Sequence, residues 1–135
     1  MLSRLIYTSK RNCTDDEISR ILETGRDFNA RHDITGALYL TENVFFQYLE
    51  GDTVLLLALY ARIQKDSRHT GCQLLDTRLV MLRVFRGWSM TWLVRTPETD
   101  LLLQALLPRY LPSEPGSGSS AGSLFQALAK AAEYK

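Results

Sequence analysis

The chain has 135 residues, 45% of them hydrophobic and 23% charged, with a formal net charge of +1. That is one ordinary globular domain, long enough to bury roughly two thirds of its unfolded surface around a single core. The near-neutral balance and the lack of any Lys/Arg run argue against a nucleic-acid surface, which needs a basic stripe, and against a membrane surface for the same reason.

The N-terminus, Met1 to Ser9, lacks the apolar core of a signal peptide, and no stretch reaches the roughly 20 apolar residues of a membrane span, so a cytoplasmic protein is expected. Leu2 to Ser9 alternates loosely and is rich in β formers, which predicts a first strand. Thr14-Asp15-Asp16-Glu17 matches a capping box, in which Thr14 accepts the backbone N–H of Glu17 while Glu17 reaches back to the cap. A helix should run from there to about Arg31, with Ile18, Ile21, Leu22 and Phe28 at helical spacing. Ile34 to Thr41 and Val44 to Glu50 read as strands joined by Glu42-Asn43, a two-residue hairpin turn in which Asn tolerates positive φ.

Gly51-Asp52-Thr53 supplies helix-start chemistry for Val54 to Lys65, whose apolar residues spread almost all the way round, so this helix needs cover on more than one side. Asp66 to Gly71 reads as a loop, Cys72 to Val80 as a weaker strand, and Trp88 to Trp92 as a strand of clean alternation. The order β-α-β-β-α-β-β predicts an α+β fold, a ferredoxin-like sheet with two helices on one face. Phe46 and Tyr48 make the opposite face apolar too, and the last third offers its cover: Leu101 to Leu107 and Leu124 to Ala129 read as short helices around a Pro/Gly/Ser-rich linker at 112–122. Residues 1–95 are thus set apart from an extension at 96–135. Cys13 and Cys72 have no CxxC spacing and no clustered histidines, so two reduced thiols are expected and no metal site.

Three polar residues stand in apolar places. Gln47 shares its strand face with Phe45 and Leu49, and a buried amide without partners costs roughly 1–3 kcal/mol. Asn29 falls within about 20° of Ile18 around the first helix, on a stripe that also holds Gly25. Either Asn29 caps the helix and Gly25 permits close packing, or the pair leaves a gap and offers an amide to a ligand. Tyr7 shares a face with Leu5, so its hydroxyl needs a partner, a backbone carbonyl in the ordinary case. Three inward polar groups around a glycine gap suit a flat heteroaromatic ligand bearing carbonyls and ring nitrogens.

Leu5-Ile6-Tyr7-Thr8-Ser9, Asn29 followed by Ile34-Thr35-Gly36, Phe45-Phe46-Gln47-Tyr48-Leu49-Glu50-Gly51, Asp66-Ser67-Arg68-His69 and Phe85-Arg86-Gly87-Trp88-Ser89-Met90 together resemble the ordered signature of BLUF domains, blue-light sensors that use FAD. The resemblance covers roughly residues 1–95. It implies a photoreceptor rather than an enzyme, with Asn29 on the isoalloxazine edge, Gln47 bridging flavin and Tyr7, and Tyr7 as electron donor. Ile21 and Ile63 would sandwich the ring beside Gly25, and Asp66, Arg68 and His69 would lie near the ribityl and phosphate side. Trp88 and Met90 would relay the signal, although with Trp92 they equally suit plain core. Phe28 stands where many relatives carry a polar or imidazole residue, and Gly25 where some carry a serine that can bond the flavin. FAD is the expected flavin, with FMN left open because the ring contacts are common to both.

The resemblance further implies that light takes an electron from Tyr7, that Gln47 then rotates or tautomerises to bond the flavin C4 carbonyl, and that output passes by contact to a downstream signalling protein. The covered outer face favours a homo-oligomer. Two other readings use the same fold: an acylphosphatase-like hydrolase, with Arg11 and Asn43 as a superficial Arg/Asn pair but no glycine-rich phosphate cradle, and a regulatory domain for a colourless metabolite or a protein partner, which gives Tyr7 and Gln47 no joint role.

Overall fold

Thr14 caps the first helix as its sequence demands, accepting from Glu17 N while the Glu17 carboxylate accepts from Thr14 N at 3.0 Å. Asp52 does the same for the second helix, taking the backbone N–H groups of Val54 and Leu55. The computed structural model describes residues 1–94, 96–110, 125–127, 130 and 133–134. Its elements are β1 (Leu2–Arg11), α1 (Asp15–Arg31), β2 (Thr35–Leu40), β3 (Val44–Asp52), α2 (Thr53–Gln64), β4 (His69–Leu79), β5 (Thr91–Val94), α3 (Pro97–Tyr110) and β6 (Glu133–Tyr134). Among the described residues no helix is long and apolar enough to cross a membrane.

The sheet order is β4-β1-β3-β2-β5-β6. Its first four strands pair antiparallel, the interleaving that two split βαβ units produce, so the α+β, ferredoxin-like expectation holds. β5 adds parallel to β2, and the short β6 pairs with β5. Both helices lie on one face. Against it Leu5, Tyr7 and Leu49 pack with Leu56 and Tyr60 of α2, while Leu38, Leu40 and Phe45 pack with Ile18 and Leu22 of α1.

The opposite face is covered as its apolar pattern requires. Ile6, Tyr39, Phe46 and Tyr48 meet Phe85, Leu103 of α3 and Phe125, which is fully buried in a short helical stretch at 125–127. The Tyr39 hydroxyl ties α3 down, 2.6 Å from Thr99 Oγ1 and 2.7 Å from Asp100 Oδ1. The linker expected at 112–122 and half of the helix expected over 124–129 lie outside the described residues.

One expected strand is corrected. Residues 88–90 do not continue a ladder, and β5 starts only at Thr91. Gly87 has φ 76°, in the left-handed region, which turns the chain away from an extended path. The carbonyls that follow are then taken by other groups: Trp88 O by Gly36 N at 2.7 Å, Ser89 O by Asn29 and Met90 O by Arg26. With alternation lost, Trp88 packs beside Phe85 on the far face while Met90 and Trp92 pack on the helix face, so the three do not share one side. The buried Glu50 carboxylate anchors the approach to this segment, accepting from Val84 N and Phe85 N at 2.6 and 2.8 Å.

Candidate functional site

Tyr7 and Gln47 are direct partners in the β1–β3 register, so their side chains leave the same face of the sheet. Tyr7 Oη donates to Gln47 Oε1 at 2.5 Å, and Gln47 Nε2 donates to Met90 Sδ at 2.9 Å. The thioether fixes which way the amide points: sulfur accepts and cannot donate, so the NH2 must face it and the carbonyl must face the phenol. The three side chains are 3%, 3% and 8% exposed and form one hydrogen-bonded row.

This row is the floor of a cleft of about 210 Å³ between α1 and α2. Ile21, Gly25 and Phe28 line it from α1, and Leu59, Arg62 and Ile63 from α2. Asn29 is 1% exposed and donates through Nδ2 to Ser89 O, so its side chain does not cap the helix, whose C-cap is His32. Gly25 leaves a gap, but a Cβ there would sit 3.1 Å from Met90 Cε, so part of that gap is filled by the methionine methyl.

The mouth of the cleft is ionic. Arg68 clasps Asp66 through Nε at 2.8 Å and Nη2 at 2.5 Å, and this guanidinium holds the Asp66 carboxyl down at about 2. His69 also lines the cleft, yet both ring nitrogens are committed to the fold: Nε2 lies 2.5 Å from Ile63 O, which can only accept, so Nδ1 takes the Ser9 hydroxyl at 2.7 Å. Its ring stands edge-on to Tyr7 and Phe45 at 6.2 and 5.5 Å, as a wall rather than a ligand-binding base. Burial pushes the Tyr7 phenol well above its ordinary range, with Cys72 and Tyr60 adding to the shift, and pushes Tyr60 up to about 12.

Of the residues singled out by sequence, Tyr7, Ile21, Gly25, Asn29, Gln47, Ile63, Asp66, Arg68, His69 and Met90 all line this one cleft; Trp88 does not. Two were missed. Arg62 lies with its guanidinium 5.2 Å over the Phe28 ring, so the apolar replacement at Phe28 becomes a platform for a cation at the cleft wall. Arg26 donates through Nε to Met90 O at 2.9 Å. An arginine in the otherwise apolar α2 was a readable signal, whereas Arg26 sits among the polar residues of α1 and gave none. Arg11, the hydrolase candidate, is committed to Asp15, Cys13 O and Thr41 O.

The cleft fits a flat ring: isoleucines on opposite walls, a floor of phenol and amide, and a charged mouth. The family model described as sensors of blue light using FAD matches residues 2–91. Photoactivated adenylate cyclase subunit beta of Euglena gracilis is 33% identical over 93 residues, 67% of this chain and 11% of that protein, so the chain spans about a tenth of the curated relatives it matches. The photo-activated state of BlsA is 31% identical with a TM-score of 0.77 over 95% of each chain. The dark state of BlrB, a BLUF protein, is 27% identical with a TM-score of 0.78 over 96% of each chain. The chain belongs to the BLUF family, the blue-light sensors that use FAD.

Proposed function

We propose that the α1–α2 cleft holds the flavin ring between Ile21 and Ile63, and that Tyr7, Gln47 and Met90 convert blue light into a change of hydrogen bonding. The observation that carries this is the buried row from Tyr7 Oη through the Gln47 amide to Met90 Sδ. When bound, the flavin supplies blue-light absorption and, excited, a one-electron oxidant. Asn29, with Nδ2 committed to Ser89, would offer Oδ1 to a ring N–H. Gly25 would let the ring approach α1, and Asp66, Arg68 and the His69 ring would border its ribityl and phosphate side.

Tyr7 is the electron donor in this reading. Because its phenol is held neutral, loss of an electron is coupled to movement of the Oη proton onto Gln47 Oε1, the acceptor already in place. Return of that electron from the ring, and of a proton to Tyr7 Oη, would restore the oxidised flavin and the neutral phenol. Gln47 would be left turned over or as its imidic tautomer, an isomer with the same electrons and protons, placed to hydrogen-bond the ring C4 carbonyl and so red-shift absorption. A turned amide presents oxygen to Met90 Sδ, two acceptors face to face, so the Met90 contact is lost and the segment ahead of β5 feels the change.

Residues 1–95 would be the sensor unit and 96–135 a helical extension through which the signal leaves, to a downstream effector protein or across a homo-oligomer, in the cytoplasm. Support comes from α3 and Phe125 packing on the sheet face behind the site, and from photoactivated adenylate cyclase relatives in which the matched segment is about a tenth of a longer chain. No substrate chemistry is assigned to the chain itself. Purified protein is expected to be yellow and, under blue light, to shift its flavin band to the red and return in darkness; a colourless protein that takes up no added FAD would sink the reading.

A further inference from the structure

We propose that Gly25 and Arg26 of α1 form a seat that holds Met90 against Gln47, and that Arg26 is a positioning residue setting how long the rearranged state lasts. This rests on the reading of Gln47 as the light-driven switch. Gly25 supplies the space: the nearest atom to a Cβ built there is Met90 Cε, at 3.1 Å. Arg26 supplies the tether, Nε to Met90 O at 2.9 Å, and Asn29 holds the preceding carbonyl, Ser89 O, at 2.5 Å. Three α1 residues within one helical turn and a half thus grip two successive residues that lack strand pairing, because β5 begins only at Thr91.

The consequence follows from hydrogen-bond sense. Met90 Sδ, in a side chain 8% exposed, accepts from Gln47 Nε2 and can support only the amide orientation present here. A turned amide sets oxygen against sulfur and pushes Met90 away, a displacement resisted at the methyl by the close fit to Gly25 and at the backbone by the Arg26 bond. A firm seat therefore destabilises the rearranged state and speeds its return. A loosened seat prolongs it.

Methionine methyl NMR of the flavin-loaded protein tests this in the dark, before any photochemistry. Of the three methionines, Met1 and Met81 are 82% and 95% exposed, so the one buried methyl belongs to Met90. With 13C-methyl methionine, the dark wild type should give one signal displaced from two solvent-like ones. Arg26→Ala should move that signal toward the solvent-like pair and slow dark return about tenfold, the equivalent of ~1.4 kcal/mol. Gly25→Ala should act in the same direction, and Arg26→Lys, which keeps a cationic donor, should restore part of both effects. An Arg26→Ala protein whose Met90 methyl and return rate match wild type overturns the seat. Should Arg26→Ala not fold, an unmoved Met90 methyl in both Gly25→Ala and Arg26→Lys does so. A wild type with a buried Met90 methyl but no light-induced shift would instead sink the switch reading and leave the dark geometry standing.

Discussion

Tyr7→Phe is expected to yield a folded, yellow protein whose colour no longer responds to light. The ring stays, so its packing at 5.5 Å from Tyr60 and 6.2 Å from His69 is kept, and so is the wall of the cleft. What goes is the hydroxyl, and with it both the electron that a phenol gives up readily and the proton donated to Gln47 Oε1. The stranded amide oxygen costs about 1–3 kcal/mol, enough to lower the melting temperature by several degrees without unfolding the domain. Tyr60 does not substitute, because no hydrogen bond joins it to Gln47. Light-minus-dark absorption of the variant at matched flavin content should fall to background; a full red shift would remove Tyr7 as donor.

The raised phenol range sets a companion expectation. A group whose protonated form is favoured by folding keeps that form through neutral pH, so the response amplitude should stay flat between about pH 6 and 9, with no inflection assignable to Tyr7. Above about pH 10, ordinary exposed phenols of the unfolded chain ionise while Tyr7 resists, so folding stability contributed by its burial as a neutral group is lost as pH rises.

The largest effect on stability is expected from Gly36→Ala. A Cβ on Gly36 would lie 2.1 Å from Tyr48 O, 3.1 Å from Tyr48 C and 3.2 Å from Leu49 Cα. All three atoms are backbone of β3, an interior strand of the sheet, so no side-chain rotation relieves the overlap and the β2–β3 pair must spread. Gly36 N also bonds Trp88 O, which guides the chain toward Met90. A loss of about 4 kcal/mol or more is expected, a large share of ordinary domain stability, with a melting temperature lower by ~15 °C. Thermal unfolding within about 3 °C of wild type would show that the strands yield more easily than this close approach implies.

Where structure follows from short-range chemistry, the sequence was enough. The Thr14 capping box and the Asp52 cap are local, and the strands and helices they delimit appear within a residue or two of their expected ends. The Glu42-Asn43 turn falls where expected, but without the positive φ at Asn43 that motivated it, the Thr41 hydroxyl accepting from Asn43 N and Val44 N instead. Strand parity placed Tyr7 and Gln47 on the helix face, and the family resemblance joined them, but their register as direct partners is a long-range fact. The Trp88-to-Trp92 pattern misled because alternation is blind to what neighbouring elements do with the carbonyls; Gly87 and two α1 side chains overrule it. The third helix starts earlier than its leucine run suggests, at Pro97 after Thr96, whose hydroxyl accepts from Thr99 N. That cap and first-turn proline are readable signals that the leucines overshadowed. β6 has no comparable signal, since two residues carry no periodicity.

The same contrast explains the site. Residues whose type is odd for their place, an amide on an apolar strand or a glycine on a helix stripe, stand out before any coordinates exist. Residues whose role depends on which segment folds back over them do not, and Arg26 is of that kind.

The most direct test of the switch compares light-minus-dark absorption spectra of the wild type and Gln47→Leu, each loaded with FAD. The wild type should show a red shift that decays in darkness, and the leucine variant, which puts an apolar side chain of similar size in place of the amide and has no hydrogen bonds to exchange, should bind flavin and show none. A reversible red shift of wild-type size in Gln47→Leu would contradict the account.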